Sequence, residues 1–289
     1  MSIWCGRNQA ISHPISLTTF IKHLVTSKKT PIWPYNRTNR KPITTTTIKS
    51  LSSPHLETLT SRQKEQISVY ANALLEWNQR MNLTAVAEMG EVMTRHVEDS
   101  LAIIPPIQNT FLSHCNSSSC DNLNLVDVGS GPGLPGLILA IACPRWKVTL
   151  LESMNKRCLF LEHAISVTGL TNVQVLRARA ESVGQKLEFR EGFDVAVARA
   201  VAEMRVLAEY CLPLLRVGGL FVAAKGHDPQ EEVRNAEKAI QLMGASILQL
   251  YTVESHSPYG QRTAIICLKE RPTPKKYPRD PGTPTKSPL

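Results

Sequence analysis

Hydrophobic residues change their spacing part-way along this chain. Between Thr60 and Met81 they recur every three or four positions, at Ile67, Tyr70, Ala71, Leu74, Leu75 and Met81, which is the stripe of an amphipathic helix. Thr60 followed by Gln63 supplies a capping box to start it. A second helical stretch is expected over residues 87–104, ended by Pro105-Pro106, and the Ser- and Asn-rich run 108–122 reads as an exposed loop. From Leu123 the pattern becomes short apolar runs separated by longer helical ones. Strands are expected at 123–128, 147–152, 173–177, 193–198 and 219–225, with helices at 133–142, 155–168, 202–215 and 229–243. Two closing strands, 246–254 and 262–269, flank the turn Ser257-Pro258-Tyr259-Gly260 as an antiparallel hairpin. Regular β/α alternation means a doubly wound, mostly parallel α/β sheet, with ligands at the carboxyl ends of its strands.

Charge divides the chain further. Residues 1–50 hold eight Lys/Arg and no Asp/Glu, and residues 269–289 hold six basic and two acidic residues. Of the net +9, this leaves −3 for residues 51–268, so any polyanion-binding surface must be a local patch or a tail. The first segment is also rich in Ser and Thr, the composition of an organelle transit peptide; the alternative is a basic RNA-binding arm. Plastid is preferred to mitochondrion as its destination. Six prolines among the last eighteen residues predict an extended, mobile basic tail. The resulting division is 1–50 transit peptide, 51–107 helical preface, 108–122 loop, 123–269 catalytic domain and 270–289 tail. No run approaches the ~18 consecutive apolar residues of a membrane span. The seven cysteines include no CxxC pair, which speaks against a disulfide framework or a zinc site. Cys115, Cys120 and His114 read as a polar loop rather than a metal site. Nothing in the sequence asks for more than a monomer.

The chemistry concentrates in the turn Asp127-Val128-Gly129-Ser130-Gly131-Pro132-Gly133 after the first domain strand. Gly129, Gly131 and Gly133 let the backbone bend and approach a ligand closely. A P-loop is excluded because Gly136 is followed by Leu137 rather than Lys, and a dinucleotide fingerprint would need its third glycine at Leu134. Pro132 and Pro135 remove N–H groups that a pyrophosphate would use. S-adenosylmethionine, which carries no phosphate, loses nothing by their absence. Glu152, at the end of the second strand, is placed for a ribose diol, and Glu181 after the third strand is placed beside an adenine. Each could also be a solvated surface charge.

With GSGPGLPG at 129–136, Arg95-His96-Val97-Glu98-Asp99-Ser100 upstream and Val197-Ala198-Arg199-Ala200 at the fourth strand, the chain resembles the glucose-inhibited division protein B family, the ribosomal RNA small subunit methyltransferase G enzymes. The resemblance covers about residues 59–269, and KKYPRDPGTP at 275–284 is similar to the tail of many members. It implies a seven-stranded class I S-adenosylmethionine methyltransferase fold with an N-terminal helical extension. It also implies N7 methylation of one guanine in small-subunit (16S) rRNA, that of the chloroplast if the leader is plastidial. By the same resemblance Gly129, Leu134, Ala180, Glu181 and Arg199 match cofactor contacts, beside Asp127, Gly131, Gly133 and Glu152.

Guanine N7 has a lone pair and no proton, so the transfer needs alignment rather than a general base. Lys225 or Arg199 is expected at the guanine O6 edge and Asp99 at its N1/N2 edge. Arg95, His96, Arg262, Lys275, Lys276 and Arg279 are candidate RNA contacts. A helix ion pair, a packed histidine and an exposed strand-end arginine are the plainer alternatives for the first three. The competing functional classes are a methyltransferase of another acceptor, a non-catalytic ribosome assembly factor, and a dehydrogenase.

Overall fold

The computed structural model describes residues 54–115, 118–199, 201–226, 228–253 and 262–289. The proposed leader, 1–50, and the 257–260 turn lie outside the described residues. After a short α1 (Pro54–Glu57), the stripe beginning at Ile67 folds as α2 (Ser61–Met81). Its capping box forms as expected, the Gln63 amide accepting from the Thr60 N–H at 2.9 Å. The same Gln63 side chain donates to the carbonyls of Ile141 and Ala142, satisfying the end of another helix.

The next stretch is one helical run of changing pitch: α3 (Met89–Val92), a π-helical turn (Met93–Glu98) and α4 (Asp99–Leu101). Pro105-Pro106 does not end the helical region. The two prolines sit in the first turn of α5 (Ile104–His114), where a missing N–H costs nothing, so much of the expected loop is helix. Ile107 and Phe111 bury its inner face.

The sheet contains β1 (Asn124–Val128), β2 (Lys147–Glu152), β3 (Val173–Arg177), β4 (Phe193–Arg199), β5 (Leu215–Lys225), β6 (Ala245–Val253) and β7 (Arg262–Lys269). Between them run α6 (Gly136–Ala142), α7 (Asn155–Thr168), α8 (Ala180–Gly184), α9 (Met204–Cys211) and α10 (Gln230–Leu242), and α11 (Thr283–Lys286) follows β7. The strand order is β3-β2-β1-β4-β5-β7-β6. β7 runs antiparallel to both neighbours, and the other pairings are parallel. This is the seven-stranded, mostly parallel arrangement expected, with its antiparallel end.

Period-two alternation divides the strand side chains between two cores. Leu125, Val195, Val197, Leu220 and Val222 pack under α2, α6 and α7, while Val126, Val128, Ala196, Phe221 and Ala223 pack under α9 and α10. Burial on both faces explains why the strands read as nearly continuous apolar runs.

The tail departs most from expectation. Tyr277 is buried in the second core, Arg279 pairs with buried Glu209, and buried Lys269 donates to the Leu212 carbonyl and to Thr273. These tertiary partners hold a segment whose proline content predicts neither helix nor sheet, and Thr283–Lys286 nevertheless folds as the short helix α11.

Candidate functional site

Parallel strands deliver their carboxyl ends to one edge of the sheet. The order reverses direction at β1, which is flanked by β2 and β4, and this opens the crevice used by ligands in such sheets. The β1 turn, Glu152, Arg199 and Lys225 therefore converge from four strand ends. Arg262 joins them because β7 is antiparallel: its first residues pair with the last of β5, Lys225 facing Thr263.

The turn is shaped by its own backbone. The Gly129 and Ser130 N–H groups donate to the Leu151 carbonyl at 2.8 and 3.2 Å, docking the turn on β2. Gly129 has φ +72°, and a Cβ there would lie 2.7 Å from Val201; Gly133 has φ +90° and would meet Leu137 at 2.3 Å. Both positions thus exclude a side chain by conformation and by space. Fully buried Tyr70 supports the turn from α2 by donating to the Pro132 carbonyl at 2.8 Å.

Asp127 lies beneath the turn, fully buried, and its Oδ2 accepts the Gly136 N–H at 2.9 Å. Burial pushes its pKa up to about 7, against the pull of the Gly136 N–H, Arg199 and Ser130. Oδ1 is buried without a hydrogen-bond partner among the described residues. Glu152 is 3% exposed; its Oε2 accepts the Gly131 N–H at 3.0 Å and its Oε1 the Met154 N–H at 2.8 Å. The β2 carboxylate is therefore locked to the turn of β1.

Two cavities meet at Gly129 and Arg157. One, of about 430 Å³, is lined by Glu152, Met154, Ala180, Glu181, Tyr210 and Thr285 among others. Its two carboxylates each have an arginine nearby: Arg157 is 3.6 Å from Glu152, and Arg179 is 3.0 Å from Glu181. Burial would raise the Glu181 pKa, but hydrogen bonds from Arg179 and the Gly282 N–H outweigh it and hold the carboxyl below its usual value.

The other cavity, of about 410 Å³, is lined by Gly131, Leu134, Arg95, His96, Asp99, Arg199, Lys225 and Arg262 among others. His96 adds no charge near neutral pH. Burial, with Arg199, Arg95 and Arg262 nearby, lowers its pKa to about 4 despite its bond to the Arg95 carbonyl. Nδ1 lies 3.1 Å from that carbonyl and Nε2 lies 2.8 Å from the Thr84 hydroxyl. This pairing makes Nδ1 the donor and Nε2 the acceptor. Burial lowers the Arg199 pKa, opposed by Tyr70, Asp99 and Asp127; a guanidinium stays charged regardless.

The structure brings together Gly129, Gly131, Leu134, Arg199, Lys225, Asp99, Arg95, His96 and Arg262 in one cavity, and Glu152, Ala180 and Glu181 in the other. Several have additional duties. Lys225 donates to Glu232 at 2.6 Å and to the Ala202 carbonyl at 2.8 Å, and Arg262 Nε donates to Asp99 at 3.0 Å. Asp127 and Gly133 line neither cavity. Lys275 and Lys276 are exposed, but they line neither cavity. Arg279, a candidate RNA contact, holds Glu209 through Nε and Nη2, because a carboxylate 1% exposed requires a counter-charge.

Arg157, Arg179, Tyr70, Tyr210 and Thr285 were not singled out from sequence. Arg157, five residues beyond Glu152 on the helix that follows it, carried the clearest signal.

The residues fit S-adenosylmethionine. A charge-balanced cavity with a locked strand-end carboxylate suits its uncharged nucleoside, and the adjoining cationic cavity can take its amino-acid carboxylate. Among the described residues, no group of three or more His, Cys, Asp or Glu side chains could hold a metal ion, and no helix is long and apolar enough to cross a membrane.

A protein from Alkaliphilus metalliredigens named ribosomal RNA small subunit methyltransferase G is 41% identical over 227 residues, spanning 78% of this chain and 91% of its own length. The protein of the same name from Ligilactobacillus salivarius is 41% identical over 232 residues, 80% of this chain and 93% of its own. Among solved structures, Aeropyrum pernix fibrillarin in complex with S-adenosyl-L-methionine matches with a TM-score of 0.42 and 15% identity, over 55% of this chain and 73% of that one. The family model described as GidB, rRNA small subunit methyltransferase G, matches residues 63–262, and the chain belongs to that family.

Proposed function

We propose that this chain transfers a methyl group from S-adenosylmethionine to N7 of one guanine in small-subunit (16S-type) rRNA. The observation that carries the proposal is the pairing of two unlike cavities at Gly129: one charge-balanced, the other lined by five cations and one carboxylate. The relatives' names supply the rRNA. A lining rich in cationic side chains is what a phosphate-rich acceptor needs.

S-adenosylmethionine supplies an electrophilic methyl group on a sulfonium. The protein's residues have to bind, align and exclude water, since N7 carries no proton to remove. Lys225 keeps one ammonium hydrogen beyond those given to Glu232 and Ala202, and together with Arg199 it can donate to guanine O6. Asp99, held by Arg262, is the carboxylate of that cavity and faces the positive charge that develops on the alkylated ring. Neutral His96 adds no further positive charge there. Arg262 meets the neighbouring phosphate.

Residues 1–50 are proposed to address the protein to the chloroplast stroma, the mitochondrion being the other destination for such a leader. A fluorescent fusion of this segment tests that part, and cytosolic retention would refute it. For the reaction, labelled methyl donor is incubated with the protein and undermethylated small ribosomal subunits. Label entering rRNA supports the proposal; label entering only protein or small molecules, or cofactor binding with no transfer, defeats it.

A further inference from the structure

The C-terminal segment is anchored in stages. Arg190 donates to the Thr273 and Tyr277 carbonyls, both at 2.7 Å, and Tyr277 is buried in the core. Arg279 then engages Glu209 with Nε, Nη2 and its backbone N–H. Beyond that ion pair the chain runs to the nucleoside-side cavity. There the Gly282 N–H donates to Glu181 Oε1 at 2.8 Å, and Thr285 shares a 2.9 Å hydrogen bond with the Tyr210 hydroxyl. Thr285, Tyr210 and Glu181 all line that cavity, so three elements, α8, α9 and α11, build one polar wall.

We propose that residues 277–286 are a working part of the cofactor site. Thr285 is a direct polar contact for the nucleoside, and the Gly282 N–H positions the Glu181 carboxylate facing it. The proposal rests on reading this cavity as the nucleoside half of the S-adenosylmethionine site. It assigns a binding role to a segment about 100 residues away in sequence from the carboxylate it holds.

S-adenosylhomocysteine is the probe, titrated by calorimetry into the full chain, Thr285→Val and Arg279→Ala. Loss of one hydrogen bond should raise Kd about fivefold in Thr285→Val, and release of the segment beyond Arg279 should raise it more than about tenfold in Arg279→Ala. Thr285→Val should keep the full chain's affinity for small-subunit rRNA. Linkage requires the converse as well: saturating S-adenosylhomocysteine should slow tryptic cleavage after Lys286 in the unmodified chain.

Unchanged Kd in Thr285→Val together with unchanged cleavage would overturn the proposal, and this holds even if Arg279→Ala fails to fold. If the unmodified chain does not bind the probe, the assignment of the cavity itself falls. Binding by the full chain with no effect of the variants sinks only the role of the segment.

Discussion

On the β2–β3 side of the crevice, two carboxylates, Glu152 and Glu181, each have an arginine nearby and accept backbone N–H groups. On the β4–β5–β7 side, Arg95, Arg199, Lys225 and Arg262 face one lining carboxylate, Asp99, while Arg157 is shared by both cavities. The difference follows from what each side must hold. A nucleoside is neutral and hydroxyl-rich, so its cavity needs fixed acceptors without excess charge. On the proposed function an RNA acceptor brings phosphates, and the cavity proposed for it is the one lined mainly by cationic side chains.

The division is open to attack by mutation. Glu152→Ala should have the largest effect, since it leaves the Gly131 and Met154 N–H groups without their acceptor at roughly 1–3 kcal/mol each. Cofactor affinity should fall about 100-fold or more while rRNA affinity holds; an equal loss of both in parallel titrations would erase the distinction between the sides.

Asp127 belongs to neither side and tests the shared floor. Its pKa is raised from 3.8 to about 7, so between these values the folded state holds a proton that the unfolded chain has released. Stability from this group therefore declines as pH rises from about 4 to 7 and levels off above, by on the order of 4 kcal/mol at most. Asp127→Asn should gain melting temperature relative to the parent between pH 5 and pH 8. A difference independent of pH would show that the buried carboxyl does not titrate as described.

Arg262→Ala is the gentlest probe. It should weaken rRNA binding about tenfold and lower the salt dependence by about one ion, leaving cofactor affinity intact. An unaltered salt slope would confine Arg262 to holding Asp99.

What could be read from sequence follows the range of the forces involved. Thr60 and Gln63 are three residues apart, and the Gly129–Gly133 turn encodes its own backbone, so both were legible. Pro105-Pro106 misled because proline stops a helix from within yet is tolerated in its first turn. The antiparallel β6–β7 hairpin was legible, whereas the place of β7 beside β5, which brings Arg262 near Lys225, and the Arg262–Asp99 pair, 163 residues apart, were not. The tail was misjudged for the same reason: Arg279 reads as a free basic residue until Glu209, 70 residues away, is placed beside it.

The most direct test of the central claim is nucleoside mass spectrometry of small-subunit rRNA after reaction with the protein, with the modified position mapped by chemical cleavage. One guanine should carry N7-methylguanosine after reaction with the unmodified chain, and the yield should fall on the order of 100-fold with Arg199→Ala. Methylation of another base or atom, or full activity in Arg199→Ala, would contradict it.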